Sequence, residues 1–93
     1  MDFRFTWDPA KAAINFRKHR VSFPEAVTAF ADPQSISIRD PDHSVGEERW
    51  LLIGQTERHR LVVAVHTERG DLIRIISARL ATRSERKTYE EET

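Results

Sequence analysis

Apolar and polar residues change period along this chain. Residues 3–7, FRFTW, alternate with period two and predict a short edge strand. The next stretch, DPAKAAINFRKHR, opens with Asp8 as an N-cap and Pro9 at the first helical position, where a missing N–H costs nothing. Ala10, Ala13, Ile14 and Phe16–Arg17 follow at roughly helical spacing, so a helix is expected to end near His19–Arg20. Ser22 and Glu25 match an S-x-x-E capping box. A second, short helix therefore runs to about Phe30, with Phe23, Ala26, Val27 and Phe30 as its apolar stripe, and ADPQ stops it.

From residue 35 the period is two. SISIR (35–39), RWLLIGQT (49–56), LVVAVHTE (61–68) and LIRIISA (72–78) read as strands. DPDHSVGEE (40–48) is a polar loop, ERHR a tight connection and Gly70–Asp71 a hairpin turn. Thr82 and Glu85 form another capping box, which starts a largely charged helix, RSERKTYEEE. The expected order is βααββββα in a single domain over 1–93. This is an α+β chain: an antiparallel sheet, two N-terminal helices and one C-terminal helix, with the helices against one sheet face.

The last strand raises a difficulty. Simple alternation puts Leu72, Arg74, Ile76 and Ala78 on one side and Ile73, Ile75, Ser77 and Arg79 on the other. Arg74 and Arg79 then serve one site only if the strand bends or bulges near Ser77–Ala78. On the strand before it, His66 and Glu68 share a face with Val62 and Ala64. Both central strands are apolar on both faces, so the side away from the helices needs shelter too.

Composition narrows the class. The chain has 93 residues, 39% hydrophobic and 32% charged, with a formal net charge of 0 and no cysteine. This is a globular balance, and the lack of cysteine excludes disulfides and thiolate chemistry and fits a reducing cytoplasm. No apolar run approaches the ~20 residues of a membrane span, and the start lacks a signal-peptide pattern. The charge is unevenly spread. Residues 1–57 carry seven Lys/Arg against nine Asp/Glu, whereas 58–89 carry eight against three, a net of +5. A basic C-terminal half points to an anionic partner, with phosphate the commonest.

The chemistry-bearing residues gather around the last hairpin. His66, Glu68, Arg69, Arg74 and Arg79 would place an acid or base beside two or three permanent cations. Cleaving RNA without a metal needs such a set: one group takes the 2′-hydroxyl proton, one protonates the leaving 5′-oxygen, and guanidinium groups neutralise the phosphate. A purely structural use is the alternative, with Glu68 paired to Arg74 across strands and His66 satisfied within its strand. Arg83, Arg86 and Lys87 on the last helix suit phosphate tracking or a solvated face. Lys18–His19 at the end of the first helix complement its dipole. The four histidines are scattered without metal-ligand spacing, and HSVGEE is too loose for a calcium loop, so no metal or cofactor is expected. There is no phosphate-cradling glycine loop and no G-x-S-x-G elbow.

Three runs carry a resemblance: W-D-x-x-K-A-x-x-N-x-x-K-H (7–19), V-S-F-x-x-A (21–26) and H-T-E-R…I-R-I-I-S-A-R-x-A-T-x-x-E-R-x-x-Y (66–89). Together they resemble the BrnT family of toxins from type II toxin–antitoxin systems. The resemblance implies a RelE-like fold and a metal-independent endoribonuclease that arrests translation. It implies a cognate ribbon-helix-helix antitoxin (BrnA-like) that blocks the basic cleft in a hetero-oligomer binding operator DNA. It also places Glu68, Arg69, Arg74 and Arg79 at or near the active site, with Lys18, His19 and Ser77 as further RNA contacts. Where the family continues K-H-G, this chain has Arg20. Arginine in the left-handed cap conformation costs about 1 kcal/mol relative to glycine, so an altered cap is expected. The alternative function is a non-catalytic module that docks a protein or nucleic acid through its basic half.

Overall fold

A computed structural model describes residues 3–40 and 47–92. Its elements are β1 (Arg4–Thr6), α1 (Pro9–His19), α2 (Phe23–Ala29), β2 (Ile36–Arg39), β3 (Trp50–Gln55), β4 (Leu61–Arg69), β5 (Leu72–Leu80) and α3 (Arg83–Glu92). The order is the expected βααββββα. Residues 41–46, the middle of the expected polar loop with His43 and most of the HSVGEE run, lie outside the described residues. Among the described residues, no helix is long and apolar enough to cross a membrane.

The five strands form one sheet in the order β1-β5-β4-β3-β2. From β2 to β5 each strand pairs antiparallel with the next, as short turns require. β1 is an edge strand but runs parallel to β5, with Phe5 opposite Ile73 and Thr6 opposite Arg74. The sheet is therefore mixed. Two helices separate β1 from the meander, which gives the chain the crossover length that a parallel neighbour needs.

The helices do not share one face. α1 and α2 cover a core of Val21, Phe23, Ala26, Leu52, Val62, Ala64, Ile73, Ile75 and Ala78. α3 packs on the opposite face, where Tyr89 joins Ile53, Leu61 and Val63. β3 and β4 are apolar on both sides, and the single buried tyrosine of α3 is what its charged sequence offers to the second. Gly54 lets α2 approach the sheet: a Cβ there would stand 2.8 Å from the Ala29 carbonyl oxygen.

α1 is oriented against its own apolar pattern. Ala10, Ala13, Ile14 and Phe16 are exposed, and Ile14 keeps 57% of its surface. The inward side holds Ala12 and the buried Asn15. Asn15 ties the helix to β5: its Nδ2 donates to the carbonyls of Val21 (3.1 Å) and Ala78 (2.8 Å), and its Oδ1 accepts from the Ala78 N–H at 3.1 Å. The C-cap is kept, contrary to expectation. Arg20 itself adopts the left-handed conformation (φ 59°, ψ 26°) and its N–H reaches the Phe16 carbonyl. Its own carbonyl accepts from Arg60 Nη2 at 2.9 Å, and Arg60 is held by the buried Glu25. These bonds offset the conformational cost.

Asn15→Ala leaves the Ala78 N–H and two carbonyls without their partner inside the core. It should cost ~2–3 kcal/mol, measured by chemical denaturation. A loss below ~0.5 kcal/mol would mean that α1 does not depend on this tie.

Candidate functional site

β5 carries one residue more than β4 can pair. Val65 faces Ser77, but the next residue, His66, faces Ile75, so Ile76 is a bulge. Paired residues of an antiparallel ladder point to the same side. Ile73, Ile75 and Ala78 therefore all enter the core under α1 and α2. Leu72, Arg74, Ser77 and Arg79 face the other way, opposite Arg69, Thr67, Val65 and Val63. Strict alternation separated Arg74 from Arg79; the bulge brings them to one face with Ser77 between them. α3 covers this face over β3 and the edge of β4. The part over β5 and β1 is open at Arg74, which is exposed beside Thr6, while Thr6, Ser77 and Arg79 are half-buried.

The arginines of this face are held differently. Arg74 is exposed, and its side chain makes no ion pair or hydrogen bond among the described residues. Arg79 is one-third exposed and grips Glu85 with both terminal nitrogens, Nη1 to Oε1 at 2.7 Å and Nη2 to Oε2 at 2.9 Å. Arg69 and Glu47 make a longer, exposed contact at 3.2 Å, which in water is worth little. Arg83, Arg86 and Lys87 are exposed on α3, on the same side of the sheet.

His66 and Glu68 lie on the opposite face. His66 is fully buried, its ring edge-on to Phe30 with centroids 4.9 Å apart. Its Nδ1 is 3.1 Å from the Ala64 carbonyl oxygen and its Nε2 is 2.9 Å from Glu68 Oε2. Glu68 stands opposite Ile73 and bonds His66 instead of pairing with Arg74, while its side chain remains 44% exposed. The expected cluster thus divides: an acid–base pair behind β4, and a cationic strip in front of β5. Lys18 and His19 end α1, which packs on the His66 side, so they do not join the strip. A groove of about 790 Å³ beside α2, lined by Phe3, Phe5, Phe30, Thr28, Glu57 and His59, contains none of the expected site residues.

Glu85 is the residue that the sequence pattern undervalued. It reads there as a capping-box member, and it is one: its N–H donates to Thr82 Oγ1 at 3.2 Å and its Oε1 accepts from the Thr82 N–H at 2.8 Å. The spacing gave no sign that the same carboxylate also meets Arg79. That ion pair, then the Thr82 N–H, pulls the Glu85 carboxyl down to about 2 from an ordinary 4.5. The same contact raises Arg79. Tyr89 is pushed up to about 12 because its hydroxyl donates to Asp32 Oδ2, at 2.7 Å, and is buried. Its phenol therefore stays protonated at neutral pH.

A carboxyl that is more acidic in the folded chain stabilises the fold above its unfolded value and loses that contribution as pH falls towards the folded one. Stability should therefore drop between pH 4.5 and about 2 as Glu85 takes up its proton. Its share is on the order of 2 kcal/mol once solvent screening of Arg79 is discounted. Glu25, held down by Arg60, acts in the same direction. Glu85→Gln should flatten the decline seen in denaturant titrations at about pH 5 and about pH 2.5; an unchanged decline would show that the pair carries no linkage.

The comparisons agree with this architecture. The family profile described as "Ribonuclease toxin, BrnT, of type II toxin-antitoxin system" matches residues 7–85. Among solved structures, the chain is similar to the Brucella abortus ribonuclease toxin BrnT, with a TM-score of 0.62 and 19% sequence identity, over 87% of this chain and 99% of that one. At that identity the likeness concerns the fold. No curated protein sequence matches. The profile covers both the α1 motif and the segment from His66 to Glu85, so this chain belongs to the BrnT family of ribonuclease toxins of type II toxin–antitoxin systems.

Proposed function

We propose that the open face of β5 is an RNA-cleaving surface working without a metal. The observation that carries the reading is the bulge at Ile76, which sets Arg74, Ser77 and Arg79 on one face. Arg74 binds the scissile phosphate, and Arg79 donates to a phosphate oxygen as negative charge builds there. The Ser77 hydroxyl contacts the same backbone. Arg69 positions the chain beyond the turn, and Arg83, Arg86 and Lys87 track the flanking phosphates. Glu68 is the exposed acid or base of the His66–Glu68 pair, and His66 orients it from within the core. Lys18 and His19 offer a second, more distant contact. Cleavage in the cytoplasm arrests translation. A ribbon-helix-helix antitoxin covers the strip and the complex binds operator DNA.

One observation favours a second reading, a non-catalytic module. Glu68 and His66 lie across the sheet from the arginines, so no acid–base side chain of that pair stands in the strip. Incubating RNA with the pure protein in EDTA separates the two readings. Cleavage is expected, and Arg74→Ala should lower its rate by about 10²-fold while leaving the thermal midpoint nearly unchanged. Glu68→Gln should lower it as well. Intact RNA in EDTA, bound tightly, supports the module. A wild-type rate in Arg74→Ala would put the site elsewhere.

A further inference from the structure

Arg79 and Arg74 occupy the same face, yet only Arg79 is anchored. Its two terminal nitrogens are both committed to Glu85, and Nη1 lies 3.4 Å from the Leu80 carbonyl oxygen. Its Nε–H has no partner among the described residues. A two-point contact between a planar guanidinium and a carboxylate fixes the plane of the cation as well as its position. Glu85 is not a swinging surface carboxylate. It belongs to the first turn of α3 and is bonded to the Thr82 N–H at 2.8 Å. Its side chain is 22% exposed, against 50% for the Glu47 that meets Arg69.

We propose that Glu85 is the positioning residue for Arg79, holding its guanidinium so that the unpartnered Nε–H is presented to RNA on the open face. This rests on the ribonuclease reading above. The pairing removes most of the long-range attraction Arg79 would exert on an anion. What remains is a directed donor already in place, whose value appears when charge builds on the phosphate oxygen. Arg74, exposed and unpaired, supplies the general attraction. The two arginines thus divide binding from transition-state stabilisation, and Glu85 makes that division.

Glu85→Gln tests this cleanly, because glutamine also serves at the third position of a capping box, so α3 should still form. The expected result is a fall of about tenfold in kcat with KM within about twofold, and no further loss when the change is made in an Arg79→Ala background. A wild-type or raised kcat would overturn the inference, the latter by showing that the carboxylate competes with RNA. So would a loss confined to KM, or an equal loss in the Arg79→Ala background. Wild-type rates in both Arg74→Ala and Arg79→Ala would instead overturn the ribonuclease reading at this face, leaving the geometry to a second measurement. Relaxation of the Arg79 Nε–H signal by NMR should show a rigid side chain that becomes mobile in Glu85→Gln. Equal mobility in the two proteins would refute the positioning role by itself.

Discussion

One extra residue in β5 governs the molecule's two surfaces. The strand must feed Ile73, Ile75 and Ala78 into the core beneath α1 and α2. A regular strand could not do so, because residues 75 and 78 differ in parity and point to opposite sides. The bulge at Ile76 resets the parity. The cost is a local interruption of the ladder, and the consequence is that both arginines are expelled to the same face. Burial on one side of β5 and cation placement on the other are a single constraint seen from two directions. The Asn15 bonds to Ala78 stand just beyond the bulge and fix the strand where the parity changes.

The same strip also fastens α3. That helix has little apolar surface, with Tyr89 its one buried residue. Polar ties therefore hold it: Arg79 to Glu85 at its start and Tyr89 to Asp32 further along. Both are hydrogen-bonded to a charged partner and partly shielded from water, the condition under which such contacts are worth more than exposed ion pairs. Arg69–Glu47, Arg4–Asp71 and Arg39–Glu48 are exposed by contrast and hold little. An arginine that anchors a helix cannot also swing to follow a ligand. Arg79 is therefore held in place by α3, whereas Arg74 on the same face is exposed.

What the sequence made legible was local. Asp8, Ser22 and Thr82 mark helix starts because a side-chain oxygen beside orphaned N–H groups is a short-range device. The hairpin at Gly70 was legible for a similar reason, since its φ of +61° favours glycine. The parallel pairing of β1 was not, because nothing in a short strand says which neighbour it will meet after two helices. The bulge left no mark either: Ile76 is neither glycine nor proline, and only the demands of the core reveal it. α1 misled for a third reason. Its apolar residues follow helical spacing, but the contact chosen is the polar Asn15, which bonds the backbone at Ala78 and Val21. At Arg20 the missing glycine did not change the cap, because Arg60 and Glu25, forty and five residues away in sequence, stabilise its carbonyl. The candidate site was legible as a set of residue types, and the shared face of His66 and Glu68 followed from alternation, but the shared face of Arg74 and Arg79 depends on one unpaired residue.

The division of the expected cluster bears on mechanism. RNA carries its own nucleophile, the 2′-hydroxyl, so an enzyme that cuts it needs alignment and charge stabilisation before it needs a protein-borne nucleophile. On the proposed reading, the strip of Arg79, Arg74 and Ser77 would meet those needs without an adjacent histidine. His66 has no exposed surface, and among the described residues its one side-chain hydrogen-bond partner is the half-exposed Glu68. On the proposed reading, proton transfer falls to the Glu68 carboxylate, beside Arg69 at the end of β4. Arginine substitutions would then lower the rate at every pH, whereas loss of Glu68 would reshape the pH profile. On that reading the two faces of β4 and β5 would contribute separately to the rate.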